Sequence, residues 1–203
     1  ALSASNFRSF DKSNIIADLS LVGIAVGGEA LRTGMKALGV IGQLGAVRLF
    51  LANAKDSPLC DSSTQAGLII PVDSFDSILG STSEIRNDSR KKSDLLAVQF
   101  TVNPETDGEL IITASSIEAK FASGEFSDIK SAFDQARQTF NRFKALVDGS
   151  KEDFGLIHRQ VLSKLIRYGL QLKHEESTYD APKRNYRIID NILKGRLSWT
   201  DPK

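Results

Sequence analysis

The sequence has few of the residues that build disulfide-bonded, zinc-binding or membrane-spanning proteins. Its 203 residues include one cysteine and two histidines, so an intrachain disulfide is impossible and no zinc spacing is present. No apolar run approaches the roughly 18 residues that a membrane-spanning helix requires. The opening segment 1–13 is polar and lacks the apolar core of a signal peptide. We therefore expect a cytoplasmic protein that does not enter a membrane.

The chain also lacks a strong excess of charge of either sign. Its 26 basic and 25 acidic residues give a formal net charge of +1, so the whole-chain charge does not indicate a nucleic-acid-binding protein. Basic residues are grouped locally, however, and such groups can contact phosphates or simply be solvated. The candidate nucleic-acid contacts in these groups are Arg90, Lys91, Lys92 and Arg142, and further groups lie within 159–173 and 183–187.

Hydrophobic periodicity predicts an α/β fold in which helices flank a sheet. Apolar spacings of three and four predict a helix over 29–53, and a short apolar run predicts a strand over 67–72. The clearest feature is a predicted hairpin with strands over 94–102 and 109–121, joined by a turn that contains Pro and Asp-Gly.

The C-terminal part of the chain is expected to be mainly helical. Two amphipathic helices are predicted over 126–147 and 154–172. A sheet of this kind normally has one more strand, and 186–189 is the candidate for it.

Three charged residues stand at the ends of the predicted hairpin strands. Asp94 begins the first strand, and Glu118 and Lys120 lie near the end of the second. A turn centred near 105–107 places Asp94 opposite residues 117–119, and side chains two apart on a strand share a face. Two carboxylates there would suit Mg²⁺, and a lysine would orient water or offset charge on a phosphate. The alternative is an ordinary salt bridge at the end of a sheet.

With this arrangement, the stretch 29–147 resembles the PD-(D/E)xK nuclease superfamily. The residues that carry the resemblance are Asp94 and the triplet Glu118-Ala119-Lys120. The resemblance implies a restriction-endonuclease-like core over 1–150, with a mixed central sheet flanked by helices, and a helical extension over 151–203 that can belong to the same domain. It also implies Mg²⁺ or Mn²⁺ held by Asp94, Glu118 and the carbonyl of Ala119, with Lys120 as a catalytic residue.

Some positions of the chain differ from the pattern of this family, and one family position has two candidate residues. Members often carry a glutamate on the helix before the sheet, and Gln43 stands at the matching place, which implies altered or reduced activity. Ser93 replaces the proline that precedes the first aspartate. Some branches carry a glutamine on the helix after the triplet. Gln135 or Gln138 can fill that role, and a solvent-facing polar residue is the alternative.

Four short runs are similar to nuclease-like regions that accompany HerA/FtsK-type ATPases of bacterial anti-phage and phosphorothioation-dependent restriction systems. The runs are Asp18-Leu19-Ser20 and the stretches 37–42, 69–73 and 93–96. No Walker A sequence occurs in the chain. The resemblance therefore implies an ATPase as a partner or as a domain of a parent chain.

Together these features predict a Mg²⁺-dependent endo- or exodeoxyribonuclease in DNA restriction or anti-phage defence. One alternative is a catalytically inactive module of the same fold that binds DNA or a partner ATPase, which Gln43 favours and the intact Asp94, Glu118 and Lys120 set disfavours. A second alternative is an interaction domain with no nucleic-acid role, which the near-neutral net charge supports. Whether the chain self-associates stays open.

Overall fold

The computed structural model describes residues 65–72, 93–103, 106, 108–119, 129–172 and 181–200, together with the helical positions Gly42, Gly45, Ala46 and Leu49. The strands in these ranges are β1 (Gln65–Pro71), β2 (Leu95–Val102), β3 (Leu110–Ile117) and β4 (Leu197–Trp199). The helices are α1 (Ile129–Lys151), α2 (Leu156–Leu172) and α3 (Ala181–Lys194). The three helices follow β3 in the chain, and β4 comes after them.

The four strands form one mixed sheet in the order β1-β2-β3-β4. β2 is antiparallel to both β1 and β3, whereas β4 is parallel to β3. The turn between β2 and β3 contains Gly108 at φ 80°, a left-handed backbone conformation that glycine adopts without a Cβ clash. A mixed α/β sheet with helices and a helical C-terminal part confirms the predicted fold class.

Alternation along the strands sends side chains to the two faces of the sheet. On one face, Leu96, Val98 and Phe100 join a hydrophobic cluster that includes residues of all three helices. On the other face, Leu95 and Ala97 are also buried, at 0% and 4% exposure. β2 is therefore covered on both faces, which explains why its sequence reads as a nearly continuous apolar run.

Helices α2 and α3 are fastened to the sheet at different points. A Cβ on Gly169 of α2 would lie 2.9 Å from Cδ1 of Ile70, so the helix backbone itself contacts β1. Asn191 of α3 donates a hydrogen bond from Nδ2 to the carbonyl oxygen of Gly108, at 3.1 Å. The hydrophobic cluster thus combines residues from 66 to 197, while the predicted division of the chain at residue 150 stays a prediction. None of the described helices has the length and apolar character needed to cross a membrane.

The last strand lies later in the chain than predicted. Residues 186–189 belong to α3, and the edge strand is β4. Ile188 and Ile192, one helical turn apart, are both buried, so the apolar pattern in this stretch has the period of a helix rather than of a strand. The predicted segment 29–53 lies largely outside the described residues, although its four described positions are helical.

The connection between α1 and α2 gives a test of backbone packing. A Cβ on Gly155 would overlap the carbonyl oxygen of Gly149 and lie 2.9 Å from that of Glu152. Because both neighbours are backbone atoms, we expect Gly155→Ala to lower the free energy of unfolding by about 1–3 kcal/mol in urea denaturation. Asp153→Ala, an exposed change in the same connection, should alter it by less than about 0.5 kcal/mol. Equal effects of the two substitutions would contradict this packing.

Candidate active site

Strands β2 and β3 bring two carboxylates together at the end of the sheet away from their turn. Leu95 pairs with Ile117, so the same register places Asp94 opposite Glu118, within the predicted range of 117–119. Residues directly opposite in an antiparallel pair project from the same face, with Cβ atoms about 4.5–5.5 Å apart. Both residues are half-buried. The strand β3 itself ends at Ile117 rather than at the predicted residue 121.

Each of the two acids accepts a hydrogen bond from the backbone of the opposite strand end. The N–H of Asp94 donates to Oε2 of Glu118 at 3.1 Å, and the N–H of Ala119 donates to Oδ2 of Asp94 at 2.8 Å. Carboxylate oxygens thus take the place of backbone carbonyls just beyond the last regular strand pair. An ionised carboxylate has about four acceptor positions, so accepting a backbone hydrogen bond is compatible with binding a cation as well.

Hydroxyl groups anchor the start of β2 to α1. The N–H of Ser93 donates to Oγ1 of Thr139 at 2.9 Å. Oγ of Ser116 donates to Oγ of Ser93 at 2.6 Å. Ser93 and Thr139 are 1% and 6% exposed, and buried polar groups of this kind must be paired. The position of Asp94, the next residue along the chain, is therefore determined by α1 as well as by the sheet.

No sequence pattern predicted this anchor. Ser93 stands at the place of the family proline and in one of the four short runs, and no role was predicted for Thr139. The signal that could have found Thr139 is its place one turn before Phe143, on the apolar face of an amphipathic helix. A hydroxyl at such a position needs a partner.

Two glutamines on α1 lie beside the anchor in the chain. Gln135 is one turn before Thr139, and Gln138 directly precedes it. Oε1 of each is buried and has no hydrogen-bond partner among the described residues. An unpaired buried carbonyl of this kind costs about 1–3 kcal/mol, and it often indicates a water, ion or ligand at the site. These amide oxygens are therefore not solvent-facing.

Of the remaining predicted site residues, one lies within the described part of the chain and five lie outside it. Arg142 is half-buried on α1, three residues after Thr139. Lys120, Gln43, Arg90, Lys91 and Lys92 lie outside the described residues, and their predicted roles stay predictions. Within the ranges that the structure describes, no group of three or more histidine, cysteine, aspartate or glutamate side chains is placed to hold a metal ion.

Comparison of the chain with protein-family models, with curated proteins and with solved structures gave no match. The resemblance to PD-(D/E)xK nucleases therefore rests on the residues of this chain alone.

The anchor gives a test of what positions Asp94. Thr139→Val keeps the shape of the side chain but removes the acceptor for the buried N–H of Ser93. We expect this change to lower the free energy of unfolding by about 1–3 kcal/mol in urea denaturation. Thr139→Ser keeps the hydroxyl and should lose less. If the valine variant were as stable as the serine variant, the hydrogen bond would not be an anchor.

Proposed function

We propose that the chain is a metal-dependent nuclease that hydrolyses DNA phosphodiester bonds beside Asp94 and Glu118. The observation that supports this most is the direct cross-strand opposition of these two carboxylates. Like charges directly opposite each other destabilise a strand pair, so their placement asks for a compensating positive charge. Backbone N–H groups supply part of this compensation, and a cation bound between the two carboxylates would add to it.

The donor set fits Mg²⁺ or Mn²⁺. Magnesium sites commonly use one or two carboxylates and keep several waters, and Asp94 and Glu118 offer two carboxylates at one strand end. These two residues would hold the ion, with the carbonyl of Ala119 as a further oxygen ligand. When bound, the ion would supply an acidic water and neutralise charge on the phosphate.

Other residues of the chain would bind and orient the DNA. In this proposal Lys120 orients the attacking water and offsets charge that develops on the phosphate. The buried amide oxygens of Gln135 and Gln138 accept hydrogen bonds from a water at the site, and Arg142 contacts the backbone of the DNA together with Arg90, Lys91 and Lys92. Gln43 takes the place of an acid that family members use, which lowers the charge available for a second ion.

The wider setting that we propose is bacterial DNA restriction or anti-phage defence in the cytoplasm. A HerA/FtsK-type ATPase would act as a partner or as a domain of a parent chain. This part of the proposal rests on the four short runs described above and on the absence of a Walker A sequence from the chain.

The hydrogen bonds of the two acids also favour a second candidate function. If the carboxylates serve only as acceptors that close the end of the sheet, the chain is a catalytically inactive module that binds DNA or a partner ATPase. Gln43 favours the same alternative.

Amide substitutions separate the two functions. Asp94→Asn and Glu118→Gln keep an oxygen that accepts the observed N–H bond but remove the charge that binds a cation. We expect the free energy of unfolding of both variants to lie within about 1 kcal/mol of the wild-type value. Their Mg²⁺-dependent cleavage should fall by at least about 100-fold. Losing even a residue that supports a metal ligand typically costs about 10–100-fold.

The measurement is cleavage of linear and supercoiled DNA with Mg²⁺, Mn²⁺ or EDTA, together with calorimetric titration of the metal. Asp148→Asn, which changes an exposed acid on α1, is the matched control and should cleave normally. Lys120→Ala should also lose cleavage. Full cleavage by Asp94→Asn or Glu118→Gln would refute the assignment of the cleavage site to these carboxylates, and a wild type that neither binds metal nor cleaves would favour the inactive module.

The glutamines of α1 give a separate prediction. Gln135→Met and Gln138→Met remove buried carbonyls that lack a partner within the described part of the chain, so we expect the free energy of unfolding to stay the same or to rise by up to about 1 kcal/mol. Cleavage should fall roughly two- to tenfold, because a hydrogen bond from a bound water to a neutral carbonyl contributes about 0.5–1.5 kcal/mol. Unchanged cleavage would remove that glutamine from the site.

A further inference from the structure

Helices α2 and α3 have a strong excess of positive charge, unlike the chain as a whole. They hold seven basic residues and one acid, a formal charge of +6, within a chain of net charge +1. The basic residues are Arg159, Lys164 and Arg167 on α2 and Lys183, Arg184, Arg187 and Lys194 on α3. The one acid, Asp190, forms an ion pair with Lys194 at 2.7 Å. The connecting segment 173–180, with three further acids in its sequence, lies outside the described residues.

A groove with a volume of about 480 Å³ lies between these two helices. Its lining combines apolar surface, side-chain amides, a guanidinium and a phenol ring. The residues that supply these groups are Leu170, Leu193, Gln171, Asn185, Arg167 and Tyr186. The carboxylate of Asp190 also lines the groove, where it is paired with Lys194. Such a lining can hold a flat, partly polar ring to which a negatively charged group is attached.

Tyr186 is the most informative residue of the groove. Its side chain is 73% exposed, and Lys183, one turn earlier on α3, is exposed as well. Arg187 and Arg167 are also exposed, on α3 and α2 respectively. An exposed ring among cations is the arrangement that proteins use for single strands, where bases stack on aromatic side chains and basic groups follow the phosphates.

Two contacts with the sheet indicate how the helices of the groove lie relative to the two carboxylates. Gly169 of α2 packs over Ile70 of β1, and Ile70 pairs with Leu96, two residues from Asp94. The later part of α3 is held by Asn191 at the opposite end, next to the β2–β3 turn. The first turns of α3, with Tyr186, therefore lie towards the carboxylate end.

We propose that the groove between α2 and α3 binds single-stranded nucleic acid, with a base stacked on Tyr186 and the adjoining phosphates paired with Arg167, Lys183 and Arg187. A duplex suits the groove less well, because its bases are already stacked on one another. This site goes beyond the proposed cleavage, since binding there needs neither a metal ion nor Asp94. DNA and RNA strands share the required chemistry.

The test is fluorescence anisotropy of the full chain with labelled 20-nucleotide strands in EDTA, comparing oligo(dT), oligo(U) and a duplex. We expect the single strands to bind more tightly than the duplex. Tyr186→Ala should raise the Kd for single strands roughly tenfold, because stacking on one aromatic side chain commonly contributes that much. Phe154→Ala, which removes an aromatic ring that is 97% exposed elsewhere, should leave the Kd unchanged.

A salt titration tests the phosphate contacts. Arg167→Gln should reduce the slope of log Kd against log salt concentration by about 0.7, the value for one phosphate contact on a single strand. Lys151→Gln, which removes one charge at the end of α1, should leave the slope unchanged.

The controls keep this inference separate from the proposed cleavage. Because the titration is made in EDTA, binding of single strands by the wild type would support the groove even if no cleavage were found. Equal Kd values for Tyr186→Ala and Phe154→Ala would overturn the inference, as would tighter binding of the duplex. Binding of phosphatidylserine vesicles through Tyr186, without binding of either oligonucleotide, would also overturn it.

Discussion

The register between β2 and β3 is the constraint on which the candidate site depends. It is specified by burial along β3, where Leu110, Ile112 and Ala114 face the helices and alternate with half-buried residues. Each fully buried side chain of this size stabilises the fold by about 1.5–3 kcal/mol, and a slip of one residue would turn the whole set to the other face. The same slip would separate Asp94 from Glu118. The packing that stabilises the sheet therefore also holds two like charges together.

The site combines rigid support from three directions. The sheet supplies the two acids, their hydrogen bonds to the opposite backbone limit how far each carboxylate can rotate, and Thr139 of α1 holds the residue that precedes Asp94. Ligands that are already in place bind an ion without paying to order flexible side chains. This arrangement supports a role in binding an ion. It is equally compatible with an inactive site in which the two carboxylates only accept hydrogen bonds and close the end of the sheet.

Local patterns in the sequence predicted much of the fold, and tertiary contacts account for most of what they missed. The hairpin and the opposition of Asp94 to Glu118 follow from alternation and from counting across one turn. Helices α1 and α2 follow from apolar spacing. β4 has three residues, too few for any period to be visible, and the stretch with Ile188 could be assigned to a helix only by its packing. The link between Ser93 and Thr139 spans 46 residues, a distance over which a single sequence gives no pairing information.

The parallel pairing of β4 with β3 has a consequence for synthesis on the ribosome. Leu110 pairs with Leu197, whereas its other neighbour, Val102, is supplied by the adjoining strand. A hairpin such as β2–β3 forms in about 1–10 μs. At about 5–20 residues per second, the strand that covers the outer edge of β3 is translated roughly 4–17 s later. During that interval the nascent chain presents an unpaired strand edge, the kind of surface that chaperones shield from other chains.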